Sequence, residues 1–171
     1  LLQTVFRFID YGDELGFAVE DFDDGRSISH EKALLVKRFV IANGVLDCDG
    51  LISLPKLKTH ALTRFTGAVK NQFGCIPGLL KGEFHMRIPN AVEFAKMLVD
   101  LDACVHPRLY IMDGIMAMEG NGPRGGTPKK MGVLLFSSDP VALDATFCRM
   151  IELDPLLVPT VKFGQEFGRG T

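Results

Sequence analysis

The sequence lacks any run long enough to cross a bilayer. Its apolar stretches, such as Val133-Leu134-Leu135-Phe136, are a few residues long, against the roughly 20 that a transmembrane helix needs. It also lacks a basic surplus: nineteen Lys and Arg stand against twenty-one Asp and Glu, a formal charge of -2. Neither nucleic acid nor an anionic membrane surface is therefore an expected partner. There is no Cys-x-x-Cys pair. Cys48, Cys75, Cys104 and Cys148 lie tens of residues apart, which argues against a local zinc or iron–sulfur site and against a small disulfide scaffold. Reduced, packed thiols in a cytoplasmic protein are the expectation, with no metal ligands assigned. A Gly-x-Ser-x-Gly elbow is absent, which disfavours a serine hydrolase of that type. No Gly-Lys-Ser/Thr follows the glycine-rich segment, which excludes a Walker-type phosphate loop.

What is present is an ordinary globular composition, 47% hydrophobic and 23% charged over 171 residues, consistent with one domain over residues 1–171 and a sizeable core. The chain opens at Leu1 without Met and without a basic-then-apolar leader, and reads as a fragment of a longer protein. Residues 4–9 and 17–22, separated by Tyr11-Gly12-Asp13, read as a β-hairpin or two successive strands. The seven acids between Asp10 and Asp24 read as a solvated edge, a cation site being the alternative. Continuous apolar runs predict buried strands at 34–42, 51–54, 109–112 and 133–136, with a turn or single helical turn at 43–48. Helical spacing predicts helices over 62–73, 90–101, about 140–153 and 158–167, the third opened by Asp139 as cap and Pro140 at its first position. This order predicts an α/β fold with a largely parallel, mixed sheet covered by helices and incomplete at its N-terminal side. In such sheets ligands sit beyond the carboxyl ends of the strands, after Leu54, Met112 and Phe136.

Three constellations lie there. After Leu54 come Lys56, Lys58, Thr59 and His60, then Thr63, Thr66, Gly67, Lys70 and Asn71. If a helix begins near Thr59, then Thr59, Thr63, Thr66 and Lys70 share one face. From Lys56 to Arg87 there are six Lys and Arg against one acid, Glu83. A strand end entering a helix N-terminus, with lysines and hydroxyls, suits a phosphate or carboxylate; a basic solvated face is the plainer alternative. Only one of Lys56 and Lys58 need face such a ligand, leaving the other to pair with Asp144 or the acidic stretch. The second constellation is Asp113-Gly114 followed by Glu119-Gly120-Asn121-Gly122-Pro123-Arg124-Gly125-Gly126. It satisfies Gly-x-Gly-x-x-Gly but precedes a strand, so the dinucleotide reading fails on context. A glycine-rich loop suited to close backbone approach to a ligand remains, carrying Glu119, Asn121 and Arg124. The third is Ser138-Asp139-Pro140-Val141-Ala142-Leu143-Asp144, in which Asp144 projects from a mainly apolar helix face and needs a partner, structural or functional. His85 falls in an expected loop, and His30 and His106 stand apart from any cluster.

Taken together, Leu54-Pro55-Lys56-Leu57-Lys58-Thr59-His60, Thr66-Gly67-Ala68-Val69-Lys70-Asn71 with Gly74, Asp113-Gly114 with Glu119 to Pro123, and Ser138 to Asp144 resemble the domain-of-unknown-function 362 family, DUF362, over about residues 45–154. The resemblance implies an uncharacterised domain often found beside a ferredoxin-like module with cysteine-ligated 4Fe-4S clusters. This chain has no ferredoxin cysteine run, so a cluster belongs, if anywhere, to a missing or separate module. Two readings stay open. In one, Lys56, Lys58, Thr59, His60, Thr63, Thr66, Lys70, Asn71, Asn121 and Arg124 hold an anionic small molecule. Asp113, Glu119 or Asp144 then acts as acid, base or metal ligand, in a redox-linked reaction fed by a ferredoxin. In the other, the same basic site is a non-catalytic module that docks a ferredoxin-like or other acidic redox partner. A concave pocket favours the first and an exposed patch the second.

Overall fold

The computed structural model describes residues 12, 14–20 and 22–170. The strand expected at 4–9 lies outside them, and residues 17–20 carry no regular structure. The described acids of the first stretch, Glu14, Glu20, Asp23 and Asp24, are exposed. A hairpin does form, further on: β1 (Gly25–Ser29) pairs antiparallel with β2 (Arg38–Ala42). Its connecting segment is tied to the core by one buried carboxylate. Asp100 accepts from the backbone N–H groups of Leu34, Leu35 and Val36 at 2.7, 2.8 and 3.0 Å, which satisfies three donors that a bare apolar loop would leave unpaired.

The helical turn α1 (Asn43–Leu46) follows, then β3 (Ile52–Ser53) and β4 (Lys56–His60). Here the structure departs from the expected helix over 62–73. Lys56 to His60 is strand, and β5 (Arg64–Thr66) turns back antiparallel to it, with Lys58 opposite Thr66 and His60 opposite Arg64. Only α2 (Ala68–Asn71) and a 3-10 turn, Gln72–Cys75, are helical. The spacing of Leu62, Phe65, Val69 and Phe73 fits a helix, but Lys56 to His60 finds a ladder partner in a distant strand, and tertiary pairing overrides local periodicity. Next come α3 (Leu80–Arg87), where the sequence predicts a loop around His85, and α4 (Ala91–Val105). Asn90 caps α4 by accepting from Val92 and Glu93 at 2.8 and 3.3 Å. Phe94, Met97, Leu98 and Leu101 recur at helical spacing and are fully buried, so this helix anchors the core.

The strand expected at 109–112 runs much further. β6 (Leu109–Asn121) and β7 (Gly125–Ser137) form a long antiparallel hairpin, from Tyr110 opposite Ser137 to Asn121 opposite Gly125. Asp113-Gly114 does not end the strand because a register shift between Gly114 and Met116 absorbs it. β6 also pairs in parallel with β3 and β4, which lie end to end along its other side, Ile52 opposite Leu109 and Lys56 opposite Asp113. The result is a mixed α/β sheet, as expected. Leu57, Tyr110 and Met112 are buried against the helices, while Ile52, Leu54, Leu134 and Phe136 emerge on the other side. The chain closes with α5 (Pro140–Met150), a 3-10 turn at Pro155–Leu157 and α6 (Pro159–Glu166). Asp139 caps α5 as expected, accepting from Val141 and Ala142 at 2.8 and 2.9 Å. Among the described residues no helix is long and apolar enough to cross a membrane.

Candidate functional site

Three chain segments meet at one end of the sheet and enclose an open-sided cleft of about 400 Å³, lined by residues that include Lys58, His60, Thr66, Lys70, Asn71 and Arg124. Strand pairing makes the first part: Lys58 and His60 are two apart on β4 and share a side, and β5 sets Thr66 beside Lys58. The second part depends on Asp144. Its buried carboxylate, from α5, accepts from the N–H groups of Ala68 at 2.6 Å and Val69 at 3.2 Å, so it satisfies the first donors of α2 from outside the helix. A side chain at Gly67 would overlap that carboxylate, which is why glycine stands there. α2 thereby presents Lys70 and Asn71 to the cleft. The expected anion site at a helix N-terminus is thus corrected: the free N–H groups begin at Ala68, and the protein's own carboxylate takes them.

The third part is the tip of the β6–β7 hairpin. A Cβ on Gly122 would overlap the backbone carbonyl of Thr59, so glycine lets the tip rest on β4 and bring Arg124 to the cleft. The close backbone approach foreseen for this segment is therefore made to β4. Lys81 of α3, Phe73, Gly74 and Pro123 complete the lining. None of these four is among the expected ligand-holding residues: Phe73 enters the sequence reading as helical spacing, Gly74 and Pro123 as part of the family resemblance, and Lys81 only as one charge of the basic stretch, because α3 shows little amphipathic pattern to mark it as an element.

The remaining candidates lie elsewhere or are engaged. Lys56 pairs with Asp113 at 2.6 Å, both half exposed, and the Lys56 hydrogen bond holds the Asp113 carboxyl below the usual carboxylate range. The partner of the second lysine is thus Asp113 rather than Asp144. Glu119 pairs with Lys129 at 3.3 Å on the exposed arm of the hairpin, and Asn121 is the exposed last residue of β6. Thr63 is buried and donates to the Phe65 carbonyl at 3.0 Å. The Thr59 hydroxyl is buried beneath the hairpin tip.

Within the cleft the electrostatics are one-sided. Lys58, Lys70, Lys81 and Arg124 line it, and no carboxylate does among the described lining residues. Burial, then Lys58 and Lys81, lower the Lys70 ammonium to about 8. The Lys70 Nζ rests 4.8 Å from the Phe73 ring centre. His60 is fixed in one tautomer: its Nδ1 accepts from Leu62 and Thr63 N–H at 3.2 and 3.4 Å, so Nε2 carries the proton. Burial, then Lys70, His85 and Lys58, lower its pKa to about 4, so it is neutral at physiological pH. His85 is lowered too, by burial and then Lys70. The Asn71 amide N–H donates to Ser53 at 3.0 Å. The Thr66 hydroxyl is buried with no hydrogen-bond partner among the described residues, a donor and acceptor left open at the cleft wall.

A family model described as "Domain of unknown function (DUF362)" matches residues 6–149. The chain belongs to the DUF362 family. The thylakoid-associated protein sll1697 of Synechocystis sp. is 43% identical to this DUF362 chain over 129 residues, covering 75% of the chain and 40% of that relative. The chain therefore matches less than half of the relative's length. No solved structure matches the chain. The 4Fe-4S clusters that the family resemblance implies do not fit these residues. Cys75 and Cys148 are buried, Cys104 is half buried and Cys48 is exposed. Burial pushes the Cys75 and Cys148 thiols up to about 11 and about 12, away from the thiolate a cluster needs. Among the described residues no three His, Cys, Asp or Glu side chains gather as a metal site.

Proposed function

We propose that the cleft of this DUF362 domain binds a phosphate- or carboxylate-bearing small molecule. The observation that carries this reading is the set of four cationic side chains around one concavity with no carboxylate lining it among the described residues. Unpaired like charges held together are mutually destabilising, and a bound anion relieves them. The concavity favours a small molecule over the docking of an acidic protein, which needs a flat or protruding patch. The residues present supply binding and charge neutralisation. In this reading the electrons for a redox-linked step come from outside the chain's cysteines, as from a ferredoxin-like partner. Four unpaired thiols suit a reducing compartment such as the cytosol.

Each charge-assisted contact is worth on the order of 1.5–3 kcal/mol, so removing one lysine should weaken binding about ten- to a hundred-fold. Calorimetric titration of the parent protein, Lys58→Ala and Lys81→Ala with inorganic phosphate, pyrophosphate and citrate, at low and high salt, tests the reading. Loss of affinity in both variants supports it. Absence of binding by the parent to all three anions, or equal affinity in all proteins, sinks it.

A further inference from the structure

Lys70 is out of place as a simple anion-binding residue. It has no carboxylate partner among the described residues, and its Nζ lies over the Phe73 ring. Its charged and titratable neighbours are all basic: Lys58 and His60 on β4, Lys81 and His85 on α3, and Arg124 at the hairpin tip. Such an amine gives up its proton readily. With a pKa of about 8, about a tenth of it is free amine at pH 7, against well under a hundredth for an ordinary lysine. The opposing attraction of the Phe73 ring for the ammonium, about 0.5–1 kcal/mol at an open site, does not restore the balance that a carboxylate would.

The other lining groups leave Lys70 as the nucleophile. No Cys, Ser, Asp or Glu lines the cleft among the described residues. The Thr66 hydroxyl would need a base, and His60 does not serve: its Nδ1 is taken by two backbone N–H groups and its Nε2 holds a proton. What His60 does offer is a neutral N–H donor, suited to polarising a carbonyl oxygen without titrating at physiological pH. Three further cations, Lys58, Lys81 and Arg124, exceed what a single carboxylate requires and match a doubly charged phosphate.

We infer that Lys70 is a nucleophilic lysine that condenses with the carbonyl group of a phosphorylated aldehyde or ketone, the phosphate being held by Lys58, Lys81 and Arg124. The inference rests on the anion-binding reading and narrows it. The amine lone pair attacks the carbonyl carbon, forming the C–N bond as the carbonyl π electrons pass to oxygen. That oxygen takes up a proton, and the nitrogen loses one, giving the carbinolamine. The nitrogen lone pair then closes the C=N bond as the hydroxyl, taking up a proton, leaves as water, and the nitrogen gives up its second proton in balance. Amine and carbonyl become imine and water, with nothing oxidised or reduced. The His60 Nε2–H stabilises the oxygen during attack, and the unpartnered Thr66 hydroxyl can exchange hydrogen bonds with the carbinolamine.

The test uses the full chain with D-glyceraldehyde 3-phosphate and cyanoborohydride, which traps an imine as a stable secondary amine, followed by intact-mass measurement and peptide mapping. One adduct per chain is expected, on Lys70, at least tenfold faster than on any other lysine. Its rate should rise with pH up to about 8 and fall at least tenfold with excess pyrophosphate or with unphosphorylated glyceraldehyde. Lys70→Arg, checked for native folding by circular dichroism, should lose the adduct. Adducts scattered over lysines in proportion to exposure overturn the inference; if pyrophosphate still binds by calorimetry, the anion-binding reading survives alone. Equal labelling of Lys70 by the unphosphorylated aldehyde overturns the assigned substrate class. That result together with no pyrophosphate binding takes the anion-binding reading down as well.

Discussion

Replacing Asp144 tests whether the cleft is held from beneath. The side chain is 1% exposed, and its carboxylate accepts from the N–H groups of Ala68 and Val69. Asp144→Ala removes the partner of both and opens a gap beside Gly67. Each of the two buried N–H groups left unpaired costs about 1–3 kcal/mol, so a total of about 2–6 kcal/mol is expected. Urea denaturation at pH 5 and 7 reads it. Because α2 carries Lys70 and Asn71, pyrophosphate affinity should fall with stability, although Asp144 itself does not line the cleft. The pH dependence gives a second handle. Burial raises the Asp144 carboxyl from 3.8 to about 7, against the pull of the two N–H donors. A carboxyl raised on folding contributes stability that is full below its unfolded pKa and is lost as pH rises through its folded one. The stability of the parent should therefore fall between about pH 4 and 7, by on the order of 4 kcal/mol if Asp144 titrates alone. Asp144→Asn, which mimics the neutral acid at every pH, should flatten that slope. A denaturation midpoint for Asp144→Ala within about 0.5 kcal/mol of the parent would show that α2 needs no external cap. An unchanged slope in Asp144→Asn would remove this carboxyl from the titration.

Gly122→Ala should push the hairpin tip away from the Thr59 carbonyl, destabilising by about 1–3 kcal/mol and withdrawing Arg124. Calorimetry should show pyrophosphate binding weakened at least as much as in Arg124→Ala, and wild-type affinity in Gly122→Ala would refute the account. Lys56→Met breaks a half-exposed ion pair with Asp113 and should change stability by no more than about 1 kcal/mol, with anion affinity within twofold of the parent; a large loss of affinity would return Lys56 to the site. Burial raises the Asp102 carboxyl to about 8, where it accepts from the Tyr110 hydroxyl at 2.8 Å, so its contribution also fades as pH climbs towards 8. Asp102→Asn should flatten urea-derived stability between pH 7 and 8, and an unchanged slope would count against it.

The fold was legible wherever burial itself sets the pattern, and the site only where its chemistry is local. The apolar stripe of α4 and the Asp139-Pro140 entry to α5 announce themselves within a few residues, so no distant partner is needed to read them. The expected helix over 62–73 survives only from Ala68 because β5 folds back on β4, whose partner β6 arrives some fifty residues later, and a strand's ladder partner leaves no mark at helical or alternating spacing. Yet Lys58, His60, Thr66, Lys70 and Asn71 do meet, since a strand, a reversal and a short helix keep them on one side as a single helix would have kept four of the anticipated residues. The need of Asp144 for a partner on an apolar helix face is legible in the sequence, but not which partner: it is the backbone of α2, and Gly67 makes room for the carboxylate that caps it. Lys81 and Arg124 complete the charge from elements that no local pattern joins to β4. A basic stretch read from sequence could therefore suggest the sign of the proposed ligand, while the nucleophilic character proposed for Lys70 arises only once those distant cations surround it.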